Sequence, residues 1–397
     1  MRRLREASHF LETPVMASIS FLKRCGVGVG AAVALSLAGC ASAPAPGCAS
    51  SQLAYVGTDG GALQALRLDA CAGTLAALGD VAQLQKPRWS VAHPTLPVLY
   101  VANDVAGQDG RVVAFAVDRA SGALKKINDA DAGGIGTTHL WLDAPSSTLL
   151  AAHFFSGSAT TLAIGGDGSV GAVASTVKET GSGPHKRQTK AHAHGIALDP
   201  ASRHVLVSDL GADRVFVYGF DRATRALAPD DAASPHAFAV APGSGPHHAV
   251  FSPDGRFVYV LDELTADVQV LRWDAGAARL APVQSIAIGS ADFKGAKSGA
   301  EIALSRDGRF AYVEDRGEGT LVVFRVDAST GALALQQRIA SGGDKPWAFA
   351  IDPSNRWMLV ANADKVTLLR VDGATGELSA TGRSVAAATP LSIAFMP

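Results

Sequence analysis

Four histidines, a glutamate and an arginine stand out as groups able to move protons and hold charge: His192, His194, His247, His248, Glu263 and Arg316. An imidazole or a carboxylate takes a proton from water, and a guanidinium holds the charge that develops on a carbonyl oxygen. Together such groups supply the proton transfer and charge stabilisation that hydrolytic chemistry draws on. The six are scattered over more than a hundred positions of sequence, so something in the fold has to gather them.

That something is a repeat. Residues 243–274 read GSGPHHAVFSPDGRFVYVLDELTADVQVLRWD. Three short runs of alternating apolar residues are separated by Pro-Asp-Gly and by a polar loop, the signature of half-buried strands joined by turns. The first strand and its closing turn recur as WSVAHP, HLWLDAP, GIALDP, HAVFSP, EIALSR, AFAIDP and SIAFMP, ending at positions 94, 145, 200, 253, 306, 353 and 397, which are 44 to 55 residues apart. A four-stranded propeller blade takes about 40–50 residues, so the fold class is all-β, a seven-bladed β-propeller. The unit at residue 53 lacks a first strand, and residues 391–395 supply a first strand with nothing after it. Pairing the two closes the ring in one blade and leaves no open edge.

Within a blade, strand one runs antiparallel to strand two. The start of the first therefore lies beside the end of the second. His192, His194, His247 and His248 come before strand one, while Asn103, Asp104, Asp209, Asp262, Glu263, Asp315, Arg316 and Asn362 close strand two or follow it. One mouth of the channel collects them all, and a convergent polar cluster at a concave mouth is the expected site. For Asn103, Asp104, Asp209 and Asn362 the plainer role is to accept backbone hydrogen bonds from the next loop. His194, Glu263 and Arg316 are the expected catalytic trio, with Glu263 or His194 as base and Arg316 as oxyanion holder. His247 adds a donor that titrates near neutral pH. His192 is a loop residue, solvated or supporting the site from behind. A metal held by His192, His194, His247 and Glu263 is the lesser reading, since these ligands come from separate blades; the expectation is no metal and no cofactor.

The chain has 397 residues with 35 Lys+Arg against 36 Asp+Glu, a balance that indicates no nucleic-acid or acidic-lipid partner. The repeat makes residues 53–397 one domain, expected to be monomeric. Ahead of it, residues 1–40 read as a signal peptide: Lys23-Arg24 precede an apolar stretch, GVGVGAAVALSLAG, too short to span a bilayer. Leu37-Ala38-Gly39-Cys40 resembles a bacterial lipoprotein box with Cys40 as the lipidated residue, and the true start is then Met16. Residues 41–52 are a Pro/Ala/Ser tether. Export to the periplasm or cell envelope, with the lipid as sole membrane contact, makes a Cys48–Cys71 disulfide the expected state of the two remaining cysteines. Two free thiols are the alternative. The longest insertion, ETGSGPHKRQTKAHA at 179–193, follows blade 3 and carries the charged and imidazole groups on which function usually rests.

Several stretches resemble the lactonase-type seven-bladed propellers, which include 6-phosphogluconolactonase and the fungal carboxy-muconate cyclases. They are RQTKAHAHG from Arg187, DLGADRVFVY, the GSGPHHAVF and FVYVLDEL runs, and AEIALS with VEDRG. The resemblance implies a lactone substrate, catalytic roles for His194, Glu263 and Arg316, and substrate contacts from Arg187, His192 and His247. Two positions depart from the family pattern: His247 stands where GPRH has an arginine, and Trp347 stands where Pro-Arg is frequent. Losing two cations points away from a phosphorylated lactone. The competing reading is an exported, non-catalytic propeller that binds a glycan, a metabolite or a partner protein.

Overall fold

The computed structural model describes residues 51–229 and 236–397. The leader and residues 41–50 of the tether, with Cys40 and Cys48, lie outside the described residues, and Ser51 and Gln52 belong to the first strand; Cys71 is disulfide-bonded. The described chain folds into seven antiparallel sheets, each with its first strand innermost. The inner strands are Pro87–Ala92, Thr137–Asp143, Ala193–Leu198, Pro246–Phe251, Gly299–Leu304, Ala348–Ile351 and Pro390–Phe395, belonging to blades 2 to 7 and then blade 1.

Closure follows the pairing expected from the two ends. Ala54 pairs with Phe395, Tyr55 with Ala394 and Val56 with Ile393, so the last strand becomes the inner strand of the blade that opens at Ser51–Thr58. The first strand thus begins two residues ahead of the expected Leu53. Blade 4 departs from the regular pattern in its outer strand, where Ala226–Ala228 and His236–Ala239 are two short pieces pairing with different parts of Arg214–Asp221.

Both faces of a blade are covered by its neighbours. Second strands such as Phe257–Asp262 and Phe310–Asp315 are therefore buried at every position, not alternately. Outer strands such as Val170–Lys178 keep the alternation because one face meets water. The buried side chains form one layer at each of the seven blade junctions, and the junction that closes the ring packs Ala54, Val56, Leu66 and Leu68 against Leu359, Val366 and Leu368. Tyrosine hydroxyls tie neighbouring blades: Tyr55 donates to the Gly122 carbonyl at 2.9 Å, and Tyr259 at the equivalent place donates to Gly331 at 3.1 Å.

The ends of the second strands cap loops. Asn103 Oδ1 accepts the amides of Gln85 and Lys86, and Asp209 Oδ1 those of His192 and Ala212. Asp262 has a weaker set. One oxygen accepts from Gln269 at 2.7 Å, and the other has no partner among the described residues. Burial pushes its carboxyl from 3.8 up to about 8. The folded protein then keeps a proton that the unfolded chain releases, so stability falls as pH rises from about 4 to 8. Glu179 and Glu314, raised chiefly by burial as well, act in the same direction. Asp262→Asn is expected to stabilise the fold by ~1–3 kcal/mol at pH 8 and hardly at all at pH 4. Thermal melts across that range check it; equal effects at both ends would refute the protonated assignment.

Candidate active site

The inner strands share an irregularity that builds the site. In blades 2 to 5 the register with strand two slips after the first residue, between Pro87 and Trp89, Thr137 and His139, Ala193 and Gly195, and Pro246 and His248; in blade 6 it slips between Gly299 and Ile302. Such a bulge leaves a residue out of the ladder and re-aims its side chain. The residues left out include Arg88, Thr138, His194, His247 and Glu301, and all five line one cavity of about 230 Å³. His194, His247 and His248 therefore stand inside the first strand, not ahead of it as the repeat suggested. Close approach of blades 4 and 5 depends on Gly195, where a Cβ would come within 2.3 Å of the His247 carbonyl oxygen.

Glu263 and Arg316 follow the second strands of blades 5 and 6, as expected, and they meet. Arg187 grips Glu263 with two nitrogens, at 2.6 and 3.3 Å, and Arg316 Nη2 reaches the same carboxylate at 3.2 Å. A two-pronged guanidinium–carboxylate contact fixes orientation as well as charge. Arg316 is further held by Ser298 Oγ at 3.1 Å and the Gly299 carbonyl at 3.2 Å, and its guanidinium lies 4.3 Å from the Trp347 ring centre. Arg187 comes from the long insertion, which its neighbour Gln188 pins: that buried amide donates to the Leu210 carbonyl and to Asp213. The "RQ" pair thus divides its labour, one residue anchoring and one reaching.

The imidazoles crowd together. His194 and His247 have ring centres 3.7 Å apart, and His247 and His248 4.2 Å. Burial, then the neighbouring rings and guanidiniums, hold His194 and His247 well below the usual imidazole range. His247 is accordingly a neutral ring at neutral pH and does not titrate there. Its Nε2 lies 3.9 Å from Glu263 Oε2. His248 differs from both, because its Nδ1 is 3.0 Å from Glu301 Oε1.

His192 stands behind the wall. It stacks on Phe154 at 4.3 Å, and its Nδ1 is 2.8 Å from the Phe154 carbonyl, which removes it from the metal set considered above. His194, His247 and His248 do each offer a ligand atom within 4.8 Å of the others. Arg187 and Arg316 already act on His194, so the local charge opposes a cation there. The donor types fit a borderline metal; the local charge does not.

Three cavity residues were not singled out from sequence: Arg88, Thr138 and Glu301. Each occupies the start of strand one, as His194 and His247 do, where the alternation reads as an ordinary ladder position and the bulge leaves no mark in the sequence. Arg88 pairs with Asp104 at 3.4 Å. At the rim, Phe155 and Trp347 are about half exposed, at 49% and 42%.

Fold and cavity together define a seven-bladed propeller with a partly open cavity, lined by apolar and charged groups, at one mouth of its channel. The chain belongs to the family described as Lactonase, 7-bladed beta-propeller, which matches residues 48–395. A Bacillus subtilis protein named 6-phosphogluconolactonase is 29% identical over 350 residues, covering 87% of this chain and 98% of the relative. One named likewise from Formosa agariphila is 31% identical over 277 residues, 68% of this chain and 76% of that one. Among solved structures, a periplasmic gluconolactonase of Pseudomonas aeruginosa superimposes with a TM-score of 0.81 at 31% identity, covering 88% of this chain and 99% of that one.

Proposed function

We propose that this protein is a hydrolase that opens an unphosphorylated, sugar-type lactone. The observation that carries the reading is the Arg187–Glu263–Arg316 cluster set beside neutral imidazoles in one cavity. Family membership and the names of the Bacillus and Pseudomonas relatives support the reaction class. In this scheme Arg316 donates to the lactone carbonyl oxygen as it becomes an oxyanion. Glu263, gripped by two guanidiniums, serves to hold them in place. His194 donates a ring N–H to the substrate, as a neutral imidazole can. Arg187 and His247 border the substrate, and His192 backs the wall through Phe154.

The charge balance of the cavity disfavours a phosphate on the substrate. Arg88, Arg187 and Arg316 line the cavity with Asp104, Glu263 and Glu301, so its three guanidiniums are matched by three carboxylates, and His194 and His247 are neutral. No positive charge is left over for a dianion. Phe155 and Trp347 at the rim offer apolar faces suited to the C–H face of a sugar ring. A panel of phosphorylated and unphosphorylated aldonolactones, assayed with the purified domain, tests the reading. Turnover of the neutral members with kcat/KM at least tenfold above their phosphorylated counterparts is the expected result. If no lactone is opened, the domain is a binding module.

Residues 1–40 direct the chain out of the cytoplasm in this proposal, with Cys40 lipidated and Cys48 joined to Cys71. The similar Pseudomonas protein is a periplasmic gluconolactonase, which supports the export step. Cys40→Ser is expected to move the protein from the membrane to the soluble fraction, and peptide mapping of the exported form to find Cys48 and Cys71 linked. A wild-type chain that stays soluble with its leader intact rejects the assignment.

A further inference from the structure

His248 and Glu301 form a pair that neither the repeat nor the expected trio accounts for. His248 lies in the inner strand of blade 5 and Glu301 in that of blade 6, each at or next to a bulge, and both line the cavity. Their Nδ1···Oε1 distance is 3.0 Å, and Glu301 Oε1 also accepts the amide of Ile302 at 2.9 Å, which fixes the carboxylate. With Nδ1–H donating to Glu301, the lone pair of His248 sits on Nε2. That atom is buried and has no partner among the described residues. The ring is wedged in place by Trp89, His139 and His247, with centres 5.1, 4.6 and 4.2 Å away.

We infer that His248 is the general base of the proposed lactone hydrolysis and that Glu301 is its positioning residue. The inference rests on the lactonase reading and adds to it the identity of the proton acceptor. A base must carry positive charge once it has taken the proton, and a carboxylate on its far nitrogen stabilises that charge and sets the tautomer. Of the three imidazoles lining the cavity, only His248 has a carboxylate within hydrogen-bond distance; the one nearest His247 is Glu263, 3.9 Å from its Nε2 and already held by Arg187 and Arg316. His194 and His247 face guanidiniums, which oppose a second positive charge.

The step balances on the groups present. Water gives a proton to His248 Nε2 as its oxygen adds to the lactone carbonyl carbon, and the C=O electron pair moves onto oxygen beside Arg316. Collapse restores C=O and breaks the ring C–O bond, and the proton on Nε2 passes to the departing alkoxide. Lactone and water become a hydroxy acid, and His248 ends as it began.

The charged and titratable groups around His248 are His139 from blade 3, His194 from blade 4, His247 on its own strand, and Glu301 from blade 6. Glu314 lies behind Glu301 and is kept neutral chiefly by burial and then by Glu301. A pH profile of kcat/KM on the neutral lactone opened fastest is the first test. His248→Gln is expected to lower kcat ~100-fold and to abolish the acid limb. Glu301→Gln should move that limb to lower pH, and Glu301→Asp should restore part of both rate and position. A merely structural role would scale the rate equally at every pH. The inference is overturned if His248→Gln keeps an unmoved acid limb. NMR of the imidazole nitrogens keeps the question open to measurement even if the wild type opens no lactone, an outcome that sinks the proposed function alone. It should find His248 as the Nδ1–H tautomer, with a midpoint that falls in Glu301→Gln. An Nε2–H tautomer or a fixed midpoint refutes the pair.

Discussion

Arg316→Ala is expected to lower kcat on a neutral lactone by ~100-fold or more while shifting the melting temperature by only a few degrees. Of the three guanidiniums lining the cavity, Arg316 is held at most points: Ser298, Gly299, Glu263 and the Trp347 face all orient it. Such fixing means that little reorganisation is needed when charge develops on the substrate oxygen, which is why its loss should fall on kcat more than on KM. Stability should survive because Arg187 still pairs with Glu263 by two hydrogen bonds, so no buried carboxylate is stranded. A rise in KM with kcat unchanged would instead make Arg316 a binding group. The same charge matching gives the opposite change a direction. His247→Arg would set a third guanidinium beside Glu263, leaving one positive charge unmatched, and should improve kcat/KM for an anionic lactone about tenfold.

Removing residues 390–397 is expected to unfold the domain at ordinary temperature or to drive it into aggregates. Pro390–Phe395 is the inner strand of blade 1, and its loss strips the ladder from Ser51–Thr58 and uncovers the apolar layer between blades 7 and 1. An open, apolar sheet edge invites pairing with another chain. The buried Leu391 and Ala394 alone would cost several kcal/mol, a large share of a typical domain's stability. Calorimetry and light scattering on the truncated chain are the checks. A truncation that melts like the full-length protein would show that the closing strand is dispensable.

The architecture could be read from sequence because its period is punctuated. Turns such as Ser252-Pro253-Asp254-Gly255 end each inner strand, and the incomplete first and last units complement each other. Glu263 and Arg316 were legible for the same reason, since they stand just past a strand whose end was plain. Arg88, Thr138 and Glu301 were not, because they sit inside strand one. Alternation marks them as ordinary ladder residues there, and only the bulge turns them inward. The state of His247 was illegible in another way. Its burial comes from rings and guanidiniums on other blades, which no local pattern reports. His192 misled by composition: an imidazole in a polar loop resembles a contact residue until the Phe154 stack is seen.

The bulged starts of the inner strands have a consequence for how such a protein can change. A residue left out of the ladder contributes no backbone pairing at its own position, and its side chain meets the cavity more than the core. Arg88, Thr138, His194, His247, Glu301 and, in blade 1, Leu391 therefore form an arc of sockets, one per blade over six blades, each outside the ladder of its own strand. Substrate preference can drift by single replacements there without renegotiating the fold. The arginine-to-histidine difference at His247 has the form of one such step. The propeller behaves in this respect like an antibody framework, with its variable positions supplied by strand irregularities instead of loops.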